Sequence, residues 1–262
     1  MASSVSVLII FSLLIGSISV SQSTFVTNVC GTNGNYTRNS IYNRNLDSAL
    51  ANLSSIAEAS DSGFYNASVG RDSDRVNVLV LCRGDVQPDI CRSCVNDSIK
   101  GLRKLCPNQK EAVEWYDECM LRYSNDSILN NLVTDPTMLL SNVNNASDMV
   151  YCGKKVCYRE YKRPNFLTIY GLMQCTPDLS STQCGDCFDE AIRDIPSCCS
   201  GKVGGQIMKP SCRLRFEVER FYNETIRVDA PPPRPQVPPP PSSVPPPGKA
   251  FLLRNEFPWH IN

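Results

Sequence analysis

The chain has 262 residues, with 26 basic and 26 acidic side chains, a single histidine and 14 cysteines. Balanced charge gives no overall field that would gather nucleic acid or an acidic membrane. The one histidine, His260, lies in the last three residues, so no Ser–His or Cys–His pair can be assembled in a folded domain. HExxH, P-loop and glycine-rich dinucleotide signatures are missing as well, and the sequence reads as non-enzymatic, with no cofactor and no metal.

In chain order, Val5–Val20 is uncharged and apolar and is followed by Ser21-Gln22-Ser23. The run falls short of the ~20 residues that span a bilayer, so residues 1–23 read as a cleaved secretory signal peptide although no Lys or Arg precedes the apolar run. Seven sequons, at Asn35, Asn52, Asn66, Asn96, Asn125, Asn145 and Asn223, point to a secreted glycoprotein. In an exported chain this density of cysteine means disulfides rather than zinc.

The next elements follow from periodicity. Asn45 is placed to cap a helix whose Leu46, Ala49, Leu50, Leu53, Ile56 and Ala57 form one apolar stripe. Arg75–Cys82 is rich in β-branched residues and reads as a strand. Asp89 caps a second helix running to Lys104, with Cys91 and Cys94 in its first turn and Val95, Ile99 and Leu102 facing inward. Ala112–Tyr123 is strand-like, with Trp115 and Tyr116 as core candidates. Two helices on a small antiparallel sheet, an α+β module, accommodate all of these.

Self-comparison then shows a duplication. Cys82, Cys91, Cys94, Cys106 and Cys119 are separated by 8, 2, 11 and 12 residues, and Cys175, Cys184, Cys187, Cys199 and Cys212 repeat those gaps 93 residues later. Leu121-Arg122-Tyr123 aligns with Leu214-Arg215-Phe216, and Ile99 with Ile192. The second copy departs upstream of Cys175, where no helical stripe like that of the first copy exists. Cys152 and Cys157 fall in that anomalous stretch, beside a basic cluster of Lys154, Lys155, Arg159, Lys162 and Arg163 that reads as a solvated segment. Pro231–Pro247 holds 11 prolines in 17 residues and reads as an extended stalk, followed by a segment too often interrupted by charge to cross a membrane. The organisation is therefore residues 1–23 signal, 24–128 first module, 129–164 linker and anomalous segment, 165–228 second module without its first helix, and 229–262 proline-rich disordered tail.

The cysteine gaps, with Leu172-Met173-Gln174-Cys175-Thr176-Pro177-Asp178-Leu179, Ile195-Pro196-Ser197-Cys198-Cys199 and Pro210-Ser211-Cys212-Arg213-Leu214-Arg215-Phe216, resemble the ginkbilobin-homologous, or stress-antifungal, domain of plants. Tandem copies of that domain form the ectodomains of cysteine-rich receptor-like kinases and the cysteine-rich repeat secretory proteins. The spacing leaves 15 ways to pair six cysteines. The resemblance implies Cys30–Cys106, Cys82–Cys91 and Cys94–Cys119 in the first module and Cys175–Cys184 and Cys187–Cys212 in the second, with Cys198 and Cys199 unassigned and Cys152 or Cys157 as substitutes for a missing N-terminal cysteine. CxxC pairs at helix starts, Cys91–Cys94 and Cys184–Cys187, suit a thiol-redox protein, but the implied pairing directs each cysteine elsewhere.

A mannose-binding member of the family uses three positions that correspond here to Gly31, Val113 and Ser124 in the first module. In the second module they correspond to Gln206 and Glu217, the first position being missing. Only Glu217 retains its group, and it reads as a solvated strand residue, so the mannose site does not transfer; an antifungal lectin is kept as the alternative reading. The leading expectation is an apoplastic recognition or adaptor protein of stress or defence signalling, whose partner is a cell-surface receptor or a glycan or protein ligand, with no nucleic acid and no membrane span.

Overall fold

The structure is a computed structural model that describes residues 23–145, 152–153, 156–157, 168–223 and 251–253. The signal peptide, the basic cluster, His260 and the proline stretch lie outside the described residues.

The first module runs β1 (Phe25–Cys30), α1 (Ile41–Ala59), β2 (Phe64–Val69), β3 (Val76–Cys82), α2 (Pro88–Leu105), β4 (Ala112–Tyr116) and β5 (Cys119–Ser124). Its antiparallel sheet has the order β1-β4-β5-β3-β2. α1 starts four residues before Asn45, because Ser40 is the N-cap and accepts from the Asn43 N–H. The helix α2 begins with Pro88 at its first turn after Gln87, and Asp89 lies inside that turn, where a carboxylate favours the helix dipole without capping. The strand expected over Ala112–Tyr123 is a hairpin, broken at Asp117-Glu118 into β4 and β5.

α1 and α2 cover one face of the sheet. Leu46, Leu50, Leu53, Val95, Leu102, Val78, Val80, Leu121 and Tyr123 are buried together there with the disulfide sulfurs. Deleting one such leucine to alanine costs about 2–5 kcal/mol. Tyr116 belongs to this face, whereas Trp115 points to the other, with Leu79, Leu81, Val113 and Met120.

The second module has β6 (Met138–Ser141), β9 (Tyr170–Cys175), α3 (Ser181–Cys199), β10 (Gly204–Met208) and β11 (Cys212–Glu217), with a short ladder of β7 (Cys152–Gly153) and β8 (Val156–Cys157). Ser180 and Gln183 form a reciprocal capping box at the start of α3. The sheet order is β12-β9-β11-β10-β6, where β12 is Phe251–Leu253. Strand for strand, β6, β10, β11 and β9 repeat β1, β4, β5 and β3. Two segments assigned by sequence to linker and tail, at β6 and β12, are thus sheet edges. Among the described residues the second module has one helix where the first has two.

The modules meet on the outer face of the first sheet, where Met208 of β10 and Met138 of β6 join Leu79, Leu81, Val113, Trp115 and Met120. Polar side chains of the second sheet satisfy backbone groups of the first. Gln174 donates to Cys82 O (3.0 Å) and accepts from the Gly84 N–H (3.2 Å), while Arg213 donates to Asp117 O (3.0 Å). Complete burial pulls the Arg213 guanidinium down to about 10, and Arg83 and Arg215 nearby add to the shift.

Candidate recognition cleft

Gly31 follows β1, Glu111 precedes β4, and Arg122 sits on β5 opposite Val113. These residues, with Asn33, line a cleft of about 230 Å³ whose far wall is Val133, Asp135, Pro136 and Pro210 from the linking chain and the second module. The mixed apolar and polar lining suits a small group or a single side chain, since the volume is below that of a drug-sized pocket.

Of the three positions matched to the mannose-binding member, Gly31 and Val113 line this cleft and Ser124 does not, and none carries the group that sugar binding would need. A Cβ on Gly31 would lie 1.9 Å from the Glu111 Cγ, so glycine is what lets Glu111 lie over that position. Val113 is apolar and buried, and the Ser124 hydroxyl accepts from the Asp126 N–H (3.1 Å). In the second module Gln206 is half-buried with an unpartnered carbonyl oxygen. Glu217 is not a solvated residue: its side chain is 16% exposed, 3.4 Å from the Arg215 Nε, and its other oxygen accepts from Asn142 (3.3 Å).

Arg122 was missed by the sequence reading. It is the repeat equivalent of Arg215, which pairs with both Glu217 and Asp117 (3.3 Å). The equivalent of Glu217 is Ser124, so Arg122 has lost that partner, and among the described residues no ion pair or hydrogen bond holds its guanidinium. Burial lowers its pKa, against the opposing pull of Glu111, Asp178 and Asp126. A comparison of positions 122 and 124 with 215 and 217 was the available signal.

One further carboxylate is displaced from its ordinary range. Glu114 is wholly buried on the helix-covered face, where neither oxygen has a hydrogen bond of normal geometry, although the Leu102 backbone offsets part of its burial. Burial pushes it up to about 8. A Cβ on Gly101 of α2 would lie 2.6 Å from the Tyr116 hydroxyl and 3.1 Å from Glu114 Oε2, so that glycine makes the room.

The structure bonds Cys30 to Cys106, Cys82 to Cys91, Cys94 to Cys119, Cys175 to Cys184 and Cys187 to Cys212. Both CxxC pairs therefore point outward to other cysteines. Cys198 is bonded to its neighbour Cys199, not to Cys152 or Cys157. The register explains the vacancy: Cys30 pairs with Ala112, and the repeat equivalent of Ala112, Gly205, pairs with Ser141. A serine thus stands where the second module's N-terminal cysteine would be. Of the sequons, Asn35, Asn52, Asn66, Asn145 and Asn223 are exposed, whereas Asn96 and Asn125 are half-buried. Asn96 lies on α2 and accepts from Ser54 of α1 (2.8 Å).

Among the described residues no helix is long and apolar enough to cross a membrane, and no group of three or more His, Cys, Asp or Glu is arranged for a metal. The salt stress response/antifungal family matches residues 29–126 and 129–219. Cysteine-rich receptor-like protein kinase 25 of Arabidopsis thaliana is 38% identical over 255 residues, covering 88% of this chain and 38% of that protein. Putative cysteine-rich receptor-like protein kinase 9 of the same plant is 35% identical over 232 residues, covering 80% of this chain and 86% of that protein. The chain thus spans little more than a third of the first of these relatives. Among solved structures, the tandem DUF26 ectodomain of the Arabidopsis thaliana cysteine-rich receptor-like protein PDLP8 has the same fold, with a TM-score of 0.63 at 22% identity over 75% of this chain and 98% of that one. The chain belongs to the salt stress response/antifungal family and carries two of its domains in tandem.

Proposed function

We propose that this chain is a secreted, non-catalytic recognition protein of the plant apoplast, acting in stress or defence signalling by engaging a cell-surface receptor or a ligand of one. The observation that carries this reading is the cleft walled by both modules and lined by Arg122, whose guanidinium has no ion pair or hydrogen bond among the described residues. Such a group contributes to binding by meeting an acceptor, while its own desolvation is already met in the free protein. The bonded, buried state of Cys91, Cys94, Cys184 and Cys187 leaves the thiol-redox reading without a nucleophile. Loss of the sugar-contacting groups at Gly31, Val113 and Ser124 weakens the lectin reading.

The test is binding of the oxidised, glycosylated chain to immobilised ectodomains of cysteine-rich receptor-like kinases, beside a glycan array and an insulin-reduction assay. Saturable binding to an ectodomain, reduced at least tenfold by Arg122→Glu with unchanged thermal stability, is the expected result. Mannose binding alone, or turnover of insulin disulfides, would overturn it.

A further inference from the structure

Each module lays a glutamate over a glycine, but the two glutamates come from different strands. In the second module a Cβ on Gly204 would lie 1.8 Å from Glu217 Oε2, and Glu217, on β11, is 3.4 Å from the Arg215 Nε. In the first module Ser124 stands at the Glu217 position and Glu111 at the Gly204 position. Glu111 leans over Gly31, whose N–H donates to Glu111 O (2.9 Å). The strand order β1-β4-β5 places β4 between Gly31, which follows β1, and Arg122 on β5. The ion pair that the second module closes is therefore drawn apart in the first. Val29 and Val113 line the cleft in the same cross-strand row as Arg122.

Charge decides what can bridge that gap. Glu111, Asp178 and Asp126 act on the Arg122 guanidinium through space, and Asp135 lines the opposite wall. Neither Glu111 nor Asp135 has an ion pair or a side-chain hydrogen bond among the described residues. An anion would satisfy Arg122 but meet these two carboxylates, and a simple cation would satisfy the carboxylates but meet Arg122. A group carrying both charges meets an opposite charge at each end. The backbone positions of Gly31 and Arg122 are two strand spacings apart, roughly 10 Å. An ammonium and a carboxylate on one carbon, each making a charge-assisted hydrogen bond of about 2.8 Å, span a gap of that order. The cleft volume of about 230 Å³ limits the remainder of the ligand to a small group.

We propose that the cleft binds a free α-amino acid, with its carboxylate on Arg122, its ammonium on Glu111 and Asp135, and its side chain toward Val133, Pro136 and Pro210. This rests on the cleft being the recognition site, and it names the ligand class taken there.

The experiment is calorimetric titration of the full oxidised chain with the twenty L-amino acids, each beside its N-acetyl derivative, which lacks the ammonium, and its carboxamide, which lacks the carboxylate. At least one amino acid with an uncharged side chain should bind saturably, and both its derivatives at least tenfold more weakly. Arg122→Gln should weaken the amino acid at least tenfold and abolish the preference for acid over carboxamide. Glu111→Gln should likewise abolish the preference for free amine over N-acetyl. A merely structural role would weaken all three compounds alike. Binding of no amino acid, derivatives that bind as tightly as the parent, or variants that leave both preferences intact would overturn the proposal. Immobilised receptor-like kinase ectodomains are tested on the same samples. Ectodomain binding sensitive to Arg122→Glu, with no amino acid bound, removes the amino acid and keeps the recognition reading; loss of both removes both.

Discussion

The two modules share one design, and among the described residues the first has two helices and the second one, so equivalent positions show what the extra helix does. Val95 and Leu102 of α2 are fully buried under α1, but their equivalents on α3, Phe188 and Ile195, are only half-buried. Ile99 is packed against the core, whereas its equivalent Ile192 is 39% exposed. Among the described residues no helix covers the inward stripe of α3 as α1 covers that of α2, and the first module is expected to be the more stable unit. The difference is not all in one direction. At one sheet position the complete module holds the buried carboxyl of Glu114, and the incomplete one holds Ile207, fully buried and with no charge to desolvate.

The largest test of this comparison is to restore the missing crosslink. Cys199 Sγ lies 3.6 Å from Leu140 O, one residue from Ser141, so a cysteine at 141 is within reach. The double variant Ser141→Cys with Cys198→Ser should form a 141–199 disulfide and raise the second module's stability by about 4 kcal/mol on the loop-entropy argument. Peptide mapping and thermal melts check it; a free thiol at 141 would show that β6 is not the counterpart of β1.

A smaller effect is expected from Glu114. Its folded pKa of about 8 lies above the unfolded carboxylate value, so folding takes up a proton. The contribution is most favourable below the unfolded pKa, is lost progressively as pH rises toward about 8, and changes no further above it. The first module should therefore melt several degrees lower at pH 8 than at pH 5. Glu114→Gln should flatten that slope and stabilise the module at pH 8 by a few kcal/mol. An unchanged slope would place the titration elsewhere.

Sequence reasoning reached the duplication because cysteine gaps can be counted without knowing the fold. The inward faces of α1 and α2 were legible for a similar reason: a stripe at 3-4 spacing has few alternatives. β1 and β2 were not read, since both are six-residue edge strands of mixed composition, β1 half-buried along nearly its whole length and β2 exposed at Asn66 and Ser68, so neither shows a clean alternation. β12 carries no periodicity in three residues, and only the vacant edge of β9 gives it a place. Arg122 stayed hidden because the resemblance directed attention to Gly31, Val113 and Ser124. Its relation to Val113 is a cross-strand one that exists only once the register of β4 and β5 is known.

The smallest expected effect concerns glycans and leaves stability almost unchanged. Exposed Asn35, Asn52, Asn66, Asn145 and Asn223 should be occupied on the secreted chain, and Asn96 and Asn125 should be largely unoccupied, as measured by glycosidase-dependent mass shifts. Asn66 lies on the edge strand β2, where a glycan would also block strand addition. High occupancy at Asn96 would mean that the α1–α2 contact forms after modification.

The central claim, that the second module is an incomplete copy less stable than the first, is tested most directly by hydrogen exchange on the oxidised chain, with equivalent strands compared amide by amide. Amides of β3 and β5 should exchange only through global unfolding of the first module, while those of β9 and β11 exchange faster through a lower-energy opening and slow selectively in the 141–199 crosslinked variant. Equal protection of β3 and β9 in the unmodified chain would contradict the account.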